Sequence, residues 1–143
     1  ATTTIVDVTS HSFGVQVWDP HTQRLQNQIM IPKNSPIPTE RIDEFYTVDN
    51  NQATVDFVLL QGEDLDPANC TVIGRTELQF DRPKPKNYPL KVIYAYDANG
   101  IIHASIEDVK TGYKAVLDVQ LTGRLSEGEI AAKKLSFDVI EVE

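Results

Sequence analysis

From residue 13 to residue 121 apolar side chains return at every second position, segment after segment, and no stretch in that span repeats with a period near 3.6. This pattern constrains the fold more than any other feature. Successive side chains on a strand point to opposite faces, so alternation is what a sheet with one buried face requires; a helix needs apolar residues three and four apart. Strands are predicted at residues 12–18, 24–31, 41–48, 53–61, 71–79, 90–96, 101–107 and 113–121, each bounded by Pro, Gly, Asn or Asp. About eight short strands at this spacing predict an all-β domain, a two-layer antiparallel β-sandwich, and not a parallel α/β sheet.

The connections have nameable turn chemistry. Asp97-Ala98-Asn99-Gly100 lies between two β-rich runs, and Asn-Gly takes the positive φ values that a tight hairpin needs. Lys110-Thr111-Gly112 and Asp49-Asn50-Asn51 predict two further hairpins, and three in antiparallel succession predict a meander-like sheet. Pro32, Pro36 and Pro38, and then Pro83 and Pro85, read as loops, where a missing N–H harms no ladder. Near the end the period changes: Ser126 and Glu129 form a Ser-x-x-Glu capping box, with Ile130, Ala131, Lys133 and Lys134 in a short C-terminal helix, before residues 137–142 revert to alternation.

Length and charge narrow the function classes. The 143 residues suit one domain and leave no room for a second catalytic one. With 13 Lys+Arg against 21 Asp+Glu the net charge is −8, the wrong sign for gripping phosphate backbones, so nucleic acid is not expected as a partner. No apolar run approaches the roughly 18 residues of a membrane span, and the N-terminus has neither a basic start nor an apolar signal core. The single Cys70 rules out an internal disulfide and a multi-cysteine metal site, which makes a reducing, cytoplasmic setting the expectation. A chain starting at Ala1 without Met reads as a processed product or an excised piece of something larger.

Catalytic chemistry has nothing to attach to. His11, His21 and His103 lack any spacing that would put two ligands on one element, so no metal site is assigned. Asp97 and Asn99 open like a calcium loop, but Ile101 stands where an oxygen ligand is needed. Asn69-Cys70-Thr71 matches a glycosylation sequon, a short pattern common by chance. Nucleophile elbow, phosphate-cradling Gly-rich loop and dinucleotide fingerprint are all missing from the sequence, and no residue is assigned as catalytic.

Four fragments in order carry a resemblance: Asp7-Val8-Thr9 with Ser12 and Gly14, then Ile37-Pro38-Thr39, then Gln61-Gly62-Glu63, then Asp97-Ala98-Asn99-Gly100-Ile101-Ile102-His103-Ala104-Ser105. Together they resemble the peptide-binding β-domain of the DnaK-type, seventy-kilodalton heat-shock chaperones, over residues 5–130. Leu125-Ser126-Glu127-Gly128-Glu129-Ile130 is similar to that family's entry into its first lid helix. The resemblance implies a residual linker at 1–6, a peptide-binding β-sandwich at 7–123, and the start of a lid with a tail at 124–143.

It also implies a function: a chaperone, heat-shock and stress-response domain that holds short extended hydrophobic segments of unfolded proteins. In that family an ATPase domain, joined by an apolar linker, controls the grip. ATP and Mg belong to that domain, so no cofactor and no enzyme activity is expected of this chain, and the ATPase domain and co-chaperones are implied as partners in a full-length protein. By matched position Phe13, Val15 and Val17 line the channel from the first strand, Phe45 from the strand after Ile37-Pro38-Thr39, and Val55 and Phe57 after the turn Asn50-Asn51-Gln52, with Gln52 at its end. Val55 takes the central pocket, Ile101 another pocket position, and Trp18 and Val48 the arch over the bound backbone, bulkier than the Met and Ala of the bacterial type. The residue 19–28 connection reads as longer than in that type. By pattern alone, Phe13, Val15, Val17, Val55 and Phe57 would line the core of any sandwich as readily as a channel. An acidic rim would favour apolar segments with Lys or Arg flanks. The alternative is a divergent, non-enzymatic protein–protein interaction scaffold whose channel is narrowed or filled.

Overall fold

The computed structural model describes residues 7–121, and these form an all-β sandwich. The expected linker at 1–6, the division at 123, the Ser126 cap with its helix and the 137–142 alternation lie outside the described residues. Eight strands follow in order: β1 (Phe13–Asp19), β2 (Arg24–Ile31), β3 (Thr39–Tyr46), β4 (Gln52–Gln61), β5 (Thr71–Lys84), β6 (Pro89–Tyr96), β7 (Ile101–Asp108) and β8 (Lys114–Gln120). They pair as two antiparallel four-stranded sheets, β2-β1-β4-β5 and β3-β6-β7-β8. Alternation translates directly into burial: Leu90, Val92 and Tyr94 on β6, Ile102, Ala104 and Ile106 on β7, and Ala115, Leu117 and Val119 on β8 all face the layer between the sheets.

The turns hold where the pairing is local. Gly100 has φ +82° between β6 and β7, and the Asp97 carboxylate accepts the N–H groups of Asn99 and Ile101. Gly112 has φ +84° between β7 and β8, so β6-β7-β8 is a meander. The third expected hairpin is not one. Asn51 does take φ +61°, but among the described residues β3 pairs only with β6, and β4 pairs with β1 and β5, so the β3–β4 connection crosses from one sheet to the other. Turn chemistry is set by the residues in the turn, whereas pairing is set by which apolar faces can meet. Pro83, expected in a loop, lies inside β5. β5 is an edge strand, and its ladder with β4 passes from the pair Thr54–Gln79 straight to Gln52–Lys84, so no partner needs the N–H that Pro83 lacks. The β1–β2 connection is short, since β1 ends at Asp19 and β2 begins at Arg24, its direct partner.

Gly14 is the most constrained point. Its carbonyl accepts the hydroxyl of the fully buried Tyr94 at 2.7 Å, a hydrogen bond between the two sheets. On its other side the buried Asn27 carboxamide donates to Gly62 O and Asp64 O, both at 3.1 Å, which leaves its Oδ1 pressed on the glycine. Tyr94 is held protonated, its pKa raised well above the usual value by burial.

On the outer face of the second sheet His103 stands between two carboxylates, Nδ1 at 2.9 Å from Asp118 Oδ1 and Nε2 at 2.8 Å from Asp97 Oδ2. Only the imidazolium can donate through both nitrogens. Hydrogen bonding to Asp97, then to Asp118, raises the His103 pKa above 6.5. A raised folded-state value means that this cluster stabilises the fold fully below the unfolded pKa and that the contribution is lost as pH rises through the folded value. An NMR titration should give a His103 midpoint above 6.5 that moves back toward it in Asp118→Asn; a wild-type midpoint at or below 6.5 contradicts the bridge. The exposure of all three groups keeps the associated stability change small.

Candidate functional site

The β1–β4 ladder covers only Phe13–Gln61, Gly14–Leu60 and Val15–Leu59. Past Val15, β1 continues to Asp19 paired, among the described residues, with β2 alone, and a groove of about 690 Å³ opens between it and the start of β4. Its floor is apolar and comes from both sheets: Val15 and Phe57 from the first, Leu90, Val92 and Ile106 from the second, all buried. Val17, Phe45 and Val55 rise from that floor as partly buried walls packed on the core. Trp18 and its cross-strand partner Leu25 border one side, and Val48 on the β3–β4 connection borders the groove too. Trp18 is 43% exposed, a large apolar surface facing water beside the groove.

Polar groups at the rim are mostly committed to shaping it. The Gln52 side chain turns back on its own loop, Oε1 accepting the N–H groups of Val48 at 3.1 Å and Asp49 at 3.2 Å while Nε2 donates to Thr54 O at 3.0 Å. It therefore sets the shape of the loop that bears Val48. The Tyr46 hydroxyl donates to Glu44 Oε1 at 2.8 Å, and that hydrogen bond to a carboxylate raises its pKa. Asp19 accepts the His21 N–H and the Thr22 hydroxyl; the His21 N–H is the main cause holding its carboxyl below the usual 3.8. Three carboxylates, Asp19, Glu44 and Asp56, border the groove against one ammonium, Lys86. The rim is negative at neutral pH.

Eight of the ten residues expected from the resemblance meet at this groove: Val15, Val17, Trp18, Phe45, Val48, Gln52, Val55 and Phe57. Two do not. Phe13 is 3% exposed and packs its ring on Tyr96 at 5.6 Å, in the half of the core away from the groove. Ile101 begins β7 opposite Gln120, whereas the groove takes Ile106 from the other end of that strand. Leu90 and Val92 also line the groove, which sequence reasoning misses. The alternation of β6 marks their inward face, but which end of an inward-facing strand meets an opening depends on the register between sheets. Among the described residues no three His, Cys, Asp or Glu side chains gather as a metal ion would require, and no helix is long and apolar enough to cross a membrane.

A family model described as "Hsp70 protein" matches residues 1–139. Two curated relatives, each described as "Chaperone protein DnaK" and coming from two strains of Thermus thermophilus, are both 35% identical over 127 residues, 88% of this chain. The chain spans about a fifth of the length of these relatives, since the match covers 20% of each.

Proposed function

Since this chain belongs to the Hsp70 family of chaperones, we propose that it is a substrate-binding domain whose groove holds a short, extended, apolar segment of an unfolded polypeptide. The observation that carries the reading is the parting of β1 from β4 beyond Val15: it leaves a main-chain edge, residues 16–19, running beside an apolar floor. An extended peptide can satisfy its own N–H and C=O groups on such an edge while one side chain enters the pocket around Val55, a mode that reads apolarity more than sequence. The acidic rim adds attraction for Lys or Arg flanks. ATP hydrolysis, Mg and co-chaperone contacts are assigned to other parts of a longer protein, and a cytoplasmic role fits the single cysteine.

A fluorescently labelled Leu-rich heptapeptide with basic flanks tests this. It is expected to bind with a Kd in the micromolar range, with fast release, and to shift or quench the emission of Trp18, the only tryptophan. Glutamate flanks should weaken binding, and the difference should shrink at high salt as the rim charges are screened. No peptide binding, with a silent Trp18 and tight binding to a folded partner, would instead establish the scaffold reading.

A further inference from the structure

The β3–β4 connection, which carries Val48 to the groove, crosses between sheets and belongs to no ladder among the described residues. Something else must hold it. Thr47, 2% exposed, uses each of its polar groups on the segment 85–88: its N–H donates to Tyr88 O at 3.0 Å, its carbonyl accepts from Asn87 N at 2.9 Å, and its hydroxyl donates to Pro85 O at 2.6 Å while accepting from Tyr88 N at 2.9 Å. That segment is itself fixed. The Tyr88 ring is buried edge-on against Phe80 at 5.9 Å, and its hydroxyl donates to the fully buried Asp108 at 2.8 Å. Lys84, held by Asp81 at 2.7 Å, lies 3.9 Å from the same Asp108 and 4.9 Å from the Tyr88 ring centroid.

We propose that Thr47 is a positioning residue for the groove: it borders the groove but, 2% exposed and with its hydroxyl spent on the segment 85–88, acts by pinning the Val48 rim to the Tyr88–Asp108 post, and so sets how long a bound peptide is retained. The inference rests on the reading of the groove as a peptide site. A rim that opens more often releases its occupant faster, while diffusion and steering leave capture nearly unchanged. The role falls to the hydroxyl in particular, because it is the one group of Thr47 that joins two separate main-chain atoms of the segment.

The experiment compares wild type, Thr47→Val and Thr47→Ser by stopped-flow release of the labelled heptapeptide and by amide hydrogen exchange without peptide. Valine keeps the shape and removes two hydrogen bonds; the expected result is an off-rate raised about tenfold, an on-rate within about threefold, and faster exchange of the Tyr88 amide with unchanged exchange in the core strand β6 beyond it. Serine should restore the off-rate to within about twofold. An unchanged off-rate in Thr47→Val, a defect confined to the on-rate, a serine variant no better than valine, or exchange accelerated equally across the core would each overturn the proposal. If wild type binds no peptide, the groove reading itself fails, and the exchange of Tyr88 still decides whether Thr47 holds the rim.

Discussion

Gly14→Ala is expected to destabilise the sandwich by roughly 3–5 kcal/mol, the range of severe core lesions. A Cβ at this position would collide with Asn27 Oδ1 and stand 2.7 Å from the Gln28 main-chain oxygen. Neither neighbour can give way cheaply. The Asn27 side chain is 3% exposed and anchored on Gly62 O, Asp64 O and Cys70 Sγ, and Gln28 is in the ladder opposite Val15. Shifting β1 instead would break the Tyr94–Gly14 hydrogen bond and leave a buried hydroxyl unpaired. Urea unfolding measures the loss, and a value under about 1 kcal/mol would show that the contact relaxes easily. The double variant Gly14→Ala/Asn27→Ala should lose less than the sum of the two single losses, because the clash is removed with the carboxamide.

The largest effect on binding is expected from Val55→Phe. Val55 sits opposite Leu78 in the β4–β5 ladder, half-buried, with its free side turned into the groove beside Phe45, Phe57 and Leu90. A phenyl ring there occupies the space that an occupant's side chain would need, so heptapeptide affinity should fall at least tenfold. Stability should change by less than about 1 kcal/mol, because the ring extends into the opening and not into close-packed core. Ile101→Val, at the opposite end of the sandwich, is the control and should bind as wild type. Equal affinity of Val55→Phe and wild type would remove the groove from the peptide's path.

These two residues show what a sequence of this kind reveals and what it hides. The strands are visible in it because most of them bury one face, which writes a period of two into the chain; β3 is largely exposed and packs only Phe45 on the core. Their partners are not visible: Asp49-Asn50-Asn51 looks like a hairpin turn and makes one sharp bend, yet the strands it joins belong to different sheets. Val55 and Phe57 show their face by alternation, but the inward face of β7 is that of Ile102, Ala104 and Ile106, so Ile101 falls with His103 on the other face, and Leu90 and Tyr94, both inward on β6, differ in height along the sandwich, with Leu90 alone of the two lining the groove. Height depends on registers such as Lys91–Glu107 and Ile101–Gln120, which no local pattern encodes. Gly14 carries no signal beyond a glycine in a strand; the reason for it lies in Asn27, thirteen positions away, and in a tyrosine eighty positions away. Thr47 is silent for the same reason, since its partners are four backbone groups of a distant segment.

The Tyr94–Gly14 hydrogen bond has a mechanical consequence. It ties sheet to sheet immediately below Val15, where the β1–β4 ladder ends and the groove begins. Below that level β1 is joined to its neighbour strand and to the opposite layer; above it, β1 runs on from Val15 to Asp19, a cantilever of about 13 Å. On the proposed reading, an occupant that spreads the groove would load this arm, which β2 backs along its length, and the load would turn about the level of the buried tyrosine hydroxyl. The hydrogen bond would then act as a fulcrum at the foot of the opening, letting the mouth yield to cargoes of different girth while the packed layer beneath keeps its dimensions.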